Sequence, residues 1–253
     1  MRRCLRPIPL AACAVLAACG PATPPAGDTR VVHVAPPSGA RASDSAALRT
    51  ALDAAQPGDT VRFAAGTYVI RTLEVGTDDL TLRGDTAGTV LRGCPPDEQA
   101  RLGEEGFFAQ CSGLALTGAR QRVHGLTFEH YTSALWIGGG ADSTGPRPNR
   151  PGGHRIEGNT FRDNVTLEVF SDADSAIVIT GNTFRNTYHA VAVLGRNVHV
   201  LDNDIASPEP DRVPFGWPSL AIGLRPMGAV SCAGTRIERN RIAGHTDAVV
   251  LAV

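Results

Sequence analysis

Ile156-Glu157-Gly158-Asn159-Thr160-Phe161, Ile179-Thr180-Gly181-Asn182-Thr183-Phe184, Val200-Leu201-Asp202-Asn203-Asp204-Ile205 and Ile237-Glu238-Arg239-Asn240-Arg241-Ile242 are four copies of one pattern. Each places an apolar residue, two spacers, an Asn, one spacer, and then Phe or Ile. Val123-His124-Gly125-Leu126-Thr127-Phe128 is a degenerate earlier copy with Leu where the Asn belongs. Successive copies start 33, 23, 21 and 37 residues apart. A recurrence in the low twenties marks a solenoid, and the long steps equal one unit plus an insertion of roughly a dozen residues.

The apolar runs inside each unit have strand length: Ala190-Val191-Ala192-Val193, Asn197-Val198-His199-Val200 and Ala248-Val249-Val250-Leu251. Helical repeats would need a 3.6-residue period, which is absent. Leucine-rich repeats would need a Leu consensus, also absent. Short strands with one Asn per turn suit a parallel β-helix. An inward Asn tolerates left-handed dihedrals at a tight turn and can hydrogen-bond the same Asn one coil above and below. The four asparagines are therefore expected in one column. Upstream, Ser43 or Asp44 is read as the cap of a helix with apolar face Leu48, Ala51, Leu52 and Ala55, stopped by Pro57-Gly58. Such a helix makes a suitable lid for the open end of a solenoid.

Pro57-Gly58-Asp59, the strand after it, Ala65-Gly66-Thr67-Tyr68, and Leu80-Thr81-Leu82-Arg83-Gly84 resemble the start of the pectin-lyase-like superfamily. The Asn-x-Phe coils are similar to its generic repeat, and the likeness covers roughly residues 30–253. The resemblance implies an all-β, single-stranded right-handed parallel β-helix with an N-terminal capping α-helix. It specifies the fold far better than the chemistry.

All 24 basic Lys+Arg positions are Arg, which excludes a Schiff-base lysine and a Walker-type phosphate loop. A formal net charge of −1 offers no basic stripe for nucleic acid. Residues 1–18 read as a signal peptide, with Arg2, Arg3 and Arg6 ahead of an apolar stretch that ends Leu16-Ala17-Ala18-Cys19. That box resembles the bacterial lipoprotein signal, with Cys19 lipidated, residues 19–29 a flexible tether, and the protein extracytoplasmic and membrane-anchored, periplasmic or on the cell surface. The alternative is an ordinary secretory signal with Cys19 incidental. Removing residues 1–18 takes away three Arg and no acid, moving the charge from −1 to −4. In an oxidising compartment Cys94 and Cys111 can form a disulfide, leaving Cys232 over; three inert thiols is the alternative. The apolar run Ala248–Val253 at the end reads as a truncation of a longer protein, or as an edge that a partner chain covers.

Insertions at 94–112, 138–153, 207–218 and 226–234 are the natural rim of a binding face. If Leu135, Leu167, Val191 and Ile222 point inward, one outward row is Trp136, Glu168, Ala192 and Gly223. A second outward row would be Ala134, Thr166, Ala190 and Ala221, small enough to form a trough for an extended polymer. The preceding turns would wall it with Glu129, His130 and Tyr131, then Arg162, Asp163 and Asn164, then Arg185, Tyr188 and His189. In superfamily members acting on acidic polysaccharides this face carries the site, so the resemblance implies a catalytic set of Asp163, Glu168, Arg185, Tyr188 and His189. A calcium ion held by carboxylates could neutralise developing charge. His130, Trp136 and Trp217 are candidate substrate contacts. Asp172 and Asp174 resemble a cation-binding turn, although a plain turn is the commoner reading. Exposed charges on a solenoid are ordinarily just solvated. Three functions stay open: an envelope protein binding carbohydrate or an envelope partner, an acidic-polysaccharide lyase or epimerase, and a metal-site accessory protein.

Overall fold

A computed structural model describes residues 29–94, 111–139, 141–142, 145–146, 148–207, 219–225 and 231–251. Apart from a short antiparallel pair, Ala141–Asp142 with Gly145–Pro146, its strands fall into three all-parallel sheets that add one strand per turn of the chain, consistent with a parallel β-helix. Sheet 1 stacks Val31–His33, Thr60–Arg62, Thr81–Arg83, Arg122–His124, Arg155–Glu157, Ile177–Thr180, Val198–Leu201 and Arg236–Glu238. Sheet 2 runs from Gly66–Val69 through Thr89–Arg92, Leu126–Glu129, Thr160–Arg162, Thr183–Arg185 and Asp204–Ala206 to Arg241–Ala243. Sheet 3 runs from Leu73–Val75 through Ser112–Leu116, Ser133–Ile137, Thr166–Val169, His189–Val193 and Leu220–Leu224 to Asp247–Leu251.

The repeat is the register. Ile156 lies opposite Val123 and Ile179, and Phe161 opposite Phe128 and Phe184. The three Phe rings stack at centroid distances of 4.9 and 4.8 Å, inside the core. Beside them Asn159, Asn182, Asn203 and Asn240 form one hydrogen-bonded column. The backbone N–H of each of the first three donates to Oδ1 of the next, at 2.9, 2.9 and 3.0 Å. Each Nδ2 also donates to a backbone carbonyl of a preceding coil, as Asn182 does to Ile156 at 2.8 Å. At the degenerate copy Leu126 supplies only its N–H, to Asn159 Oδ1 at 3.0 Å.

Two expectations about local structure need correction. The left-handed residue of this turn is the one before the Asn: Gly158 and Gly181 at φ 62°, Asp202 at 53° and Arg239 at 55°. The Asn side chain is recruited for its hydrogen bonds, while its neighbour absorbs the reversal of the chain. The helix runs from Arg41 to Ala54 with Ala40 at its N-cap and no side-chain cap, so neither Ser43 nor Asp44 caps it. Asp44 is instead buried in the first turn. It accepts from Ser38 N–H at 2.7 Å and Val69 N–H at 2.8 Å, and these bonds hold its carboxyl below the usual range against the opposing effect of burial. Leu48 and Ala51 are buried as the apolar pattern requires, with Leu52 and Ala55 half-buried against the core.

Cys94 and Cys111 are bonded, with Sγ atoms 2.01 Å apart across a separation of 17 residues. A loop of that length is worth about 3 kcal/mol in closure entropy. A Cys94→Ser/Cys111→Ser variant should unfold at a correspondingly lower urea midpoint, and an unchanged midpoint would show that the bridge contributes nothing. Cys232 is a half-buried free thiol.

Candidate functional site

Sheet 3 sets the inward column Leu135, Leu167, Val191, Ile222 and, beside it, the outward row Trp136, Glu168, Ala192, Gly223. The second outward row differs from the expectation. The strand Thr166–Val169 is one residue shorter than its neighbours, and the pairing shifts at Ser133/Leu135 and at Thr166/Leu167. Ser133, Thr166, His189 and Leu220 are therefore opposite one another, while Ala134, Ala190 and Ala221 turn into the core with at most 1% of their surface exposed. A bulge that adds one residue moves every side chain before it to the other face. The trough of small residues thus does not form from that row.

What remains on the face is a short platform. The Trp136 indole lies against Gly138: a Cβ there would fall 2.5 Å from two ring carbons. The missing side chain lets the ring lie over the strand end. Glu168 is next in the row, then Ala192 and Gly223, which add almost no height. Burial pushes the Glu168 carboxyl up to about 7. The adjacent Ser133 hydroxyl opposes this only in part, short of a well-formed hydrogen bond. His189, one coil on, is pushed down to about 4 by burial, with Arg225 and His245 acting in the same direction. Its imidazole stacks on the Tyr188 ring at 4.4 Å, and Tyr188 is itself buried, which raises its phenol.

The other predicted residues fall elsewhere. Asp163 sits in the turn between sheets 2 and 3 at φ 55° and accepts from Asn186 Nδ2 at 3.3 Å; His130 occupies the same turn one coil earlier at φ 58°. Burial lowers the His130 imidazole, with Asp163 opposing and Arg92 adding to the effect. Arg185 is on sheet 2, where it is ion-paired to Asp204. The expected turn wall is largely interior. Glu129 is buried between Arg92, at 2.9 Å, and Arg162. Tyr131 is fully buried and its hydroxyl donates to the Ile70 carbonyl at 3.2 Å. Asn164 bonds the backbone of Phe128 and Tyr131 at 2.9 Å each. Cys19 and Trp217 lie outside the described residues. So Glu168 and His189 share a sheet, while Arg185 belongs to sheet 2 and Asp163 to the turn between sheets 2 and 3, each with a partner of its own.

The residues do not fit the cation that the resemblance implies. Among the described residues no three His, Cys, Asp or Glu side chains are grouped to hold a metal. Asp172 and Asp174 are instead both ion-paired to Arg196. An open pocket of about 460 Å³ lies against Thr117, Gly139, Pro148, Arg150 and Pro151, and among the described residues its lining includes none of those predicted. Ser133, Arg225 and His245 were not picked out from the sequence. Ser133 lies two residues before the inward Leu135, where strict alternation puts it on the same inward face, so only the bulge at Ser133/Leu135 reveals its position beside Glu168. Neither a scan against protein-family models nor a search of curated proteins finds a match to this chain.

Proposed function

We propose that the chain is an envelope-anchored protein with a right-handed parallel β-helix of the pectin-lyase-like type, capped by the helix Arg41–Ala54, that binds carbohydrate along sheet 3. In this reading residues 1–18 are a lipoprotein signal, Cys19 is lipidated, residues 19–29 are the tether, and residues 30–253 are the binding domain. The observation that carries it is the outward row Trp136–Glu168–Ala192–Gly223. The indole packed against Gly138 is half-exposed and available to stack on a sugar ring, the neighbouring carboxyl offers hydrogen bonds, and the small residues beyond leave room for the next ring at a step of about 4.8 Å per coil. The dispersal of Asp163 and Arg185 away from Glu168 and His189 favours binding over catalysis.

The lyase or epimerase reading is favoured by the place of Glu168 in the outward row of sheet 3 beside Ser133, where burial raises its carboxyl to about 7, a range suited to a general acid or base. One experiment addresses both. Trp136→Ala should weaken binding to a panel of neutral and uronate oligosaccharides roughly tenfold in calorimetry. Equal affinity of variant and wild type, or no binding to any glycan, would sink the platform. Formation of unsaturated or epimerised product from the same uronates, lost in Glu168→Gln, would replace binding with catalysis.

A further inference from the structure

The exposed face of sheet 1 is charged unevenly. Its outward residues form two rows. One contains His33, Arg62, Arg83 and His124 on four successive strands, all exposed. The other brings Arg122 and Arg155 side by side. Beyond these strands the same rows continue as Glu157, Thr180, Leu201 and Glu238, and as Val178, His199 and Arg236, with Arg236 ion-paired to Glu238 at 3.2 Å. Arg62, Arg83, Arg122 and Arg155 are thus clustered on consecutive strands near the point where the chain enters the fold at Arg30, and Arg236 stands apart from them at the far end.

Placing like charges in register is unfavourable for a sheet unless something answers them. On sheet 2 the adjacent Arg162 and Arg185 are answered by Glu129 and Asp204. On sheet 1, Asp85 answers Arg62 at 3.4 Å and Glu157 answers Arg155 at 2.9 Å. Arg83 and Arg122 have no carboxylate partner among the described residues. The patch is locally cationic on a chain whose net charge is −4 once residues 1–18 are removed. Charges farther away than a screening length of about 8–10 Å do little to cancel it. Val31, 45% exposed, lies on the edge strand of this sheet, beside His33. An exposed valine gains from a lipid interface and gains nothing from a soluble polyanion.

We infer that sheet 1 is a membrane-docking surface, with Arg62, Arg83, Arg122 and Arg155 resting on anionic phospholipid headgroups and Val31 at the interface. The inference rests on the envelope-anchor reading for its setting. The ten Cα–Cα steps from Cys19 to Thr29 reach at most about 35 Å, which keeps this sheet within range of the bilayer. A lipidated Cys19 tethers the domain without orienting it, and a basic patch adds electrostatic attachment that fixes which face meets the bilayer.

The test uses the chain from residue 19 onward, which retains every described residue, with Cys19→Ala so that no lipid contributes. Its probe is sedimentation with vesicles of phosphatidylglycerol and phosphatidylcholine, against phosphatidylcholine alone. The protein should bind the anionic vesicles, release them in high salt, and bind about tenfold or more weakly as Arg83→Ser/Arg122→Ser. Arg236→Ser, at the far end of the same sheet, and Trp136→Ala on sheet 3 should bind as the parent does. Unchanged melting temperatures establish that the variants fold. Absence of vesicle binding, equal binding by the double variant, or capture by soluble polyuronate with none by vesicles would each overturn the inference. Lipidation of Cys19 in cells is scored separately by palmitate labelling, so failure of the anchor and failure of the patch give different results.

Discussion

Asn182→Ala should destabilise the protein by about 3–5 kcal/mol, the largest effect expected of any single substitution in the coils. Asn182 is 1% exposed and its side chain makes four hydrogen bonds, one of them from Nδ2 to Asn203 Oδ1 at 3.0 Å. Its Oδ1 accepts from the Asn159 backbone N–H at 2.9 Å and from Asn159 Nδ2 at 3.1 Å, and its Nδ2 donates to the Ile156 carbonyl at 2.8 Å. Alanine strands a buried backbone donor and a buried backbone acceptor. Each costs roughly 1–3 kcal/mol to leave unpaired, because water cannot reach them and the mainly apolar core offers no substitute. The loss propagates, since each coil packs only on its neighbours. Asn240, in the last described coil, accepts from Asn203 N–H at 3.0 Å and Asn203 Nδ2 at 2.9 Å and donates to the Val200 carbonyl at 2.8 Å, but it is only half-buried. Asn240→Ala should therefore cost less, about 1–2 kcal/mol, because water has better access to the groups it strands. Urea unfolding of both variants decides the matter. Equal small losses would mean that the column is an alignment of side chains and does not stabilise the stack.

Acid should destabilise the fold between pH 6.5 and 4, and His154→Leu should remove much of that dependence. His154 is fully buried in the column Leu80, Gln121, His154, Ile177, Val198 at the start of sheet 1. Neither ring nitrogen has a hydrogen-bond partner among the described residues, and Gln121 Oε1 is likewise unpartnered. Burial pushes the imidazole down to about 4, Asp78 opposes this, and Arg120 reinforces it. The folded state therefore prefers the neutral ring. Its contribution is intact above 6.5, is lost progressively as the pH falls, and is gone once the pH has passed below 4. The interval is worth about 3 kcal/mol. His189, also near 4, adds a smaller loss of the same sign because it is only half-buried. Glu168 acts oppositely. Its folded value near 7 exceeds the unfolded one, so its contribution is present below 4.5 and is lost as the pH rises through 7. Stability should peak in mildly acidic to neutral solution. Denaturant titrations at pH 7, 5.5 and 4 will show whether His154→Leu is flatter than wild type, and a variant curve parallel to wild type would refute the assignment.

Much of the site geometry follows from counting along the repeat. Once Ile156, Ile179 and Val200 are aligned, the inward set Leu135, Leu167, Val191, Ile222 and the outward set Trp136, Glu168, Ala192, Gly223 follow from alternation along a strand. The bulge could not be counted. Whether Ala134 or Ser133 faces out depends on one residue of strand length, and Thr166–Val169 differs from its neighbours by that one residue. Ion pairing was equally hidden. Nothing local in Arg185 announces Asp204, 19 residues away, or assigns buried Glu129 to both Arg92 and Arg162 across separations of 37 and 33 residues.

The periodic asparagines, the Phe or Ile two residues later, and the strand-length apolar runs were sufficient by themselves to indicate a stack of parallel β-coils with one asparagine column; that the strands form three sheets came from the folded chain. Each is a short-range pattern repeated at a constant interval, and stacking identical units is the way such a chain buries its apolar face. Only the folded chain decided which polar groups are spent on structure and which are left to act. That choice depends on register, burial and partners from distant coils, and these exist only after the coils have closed on one another.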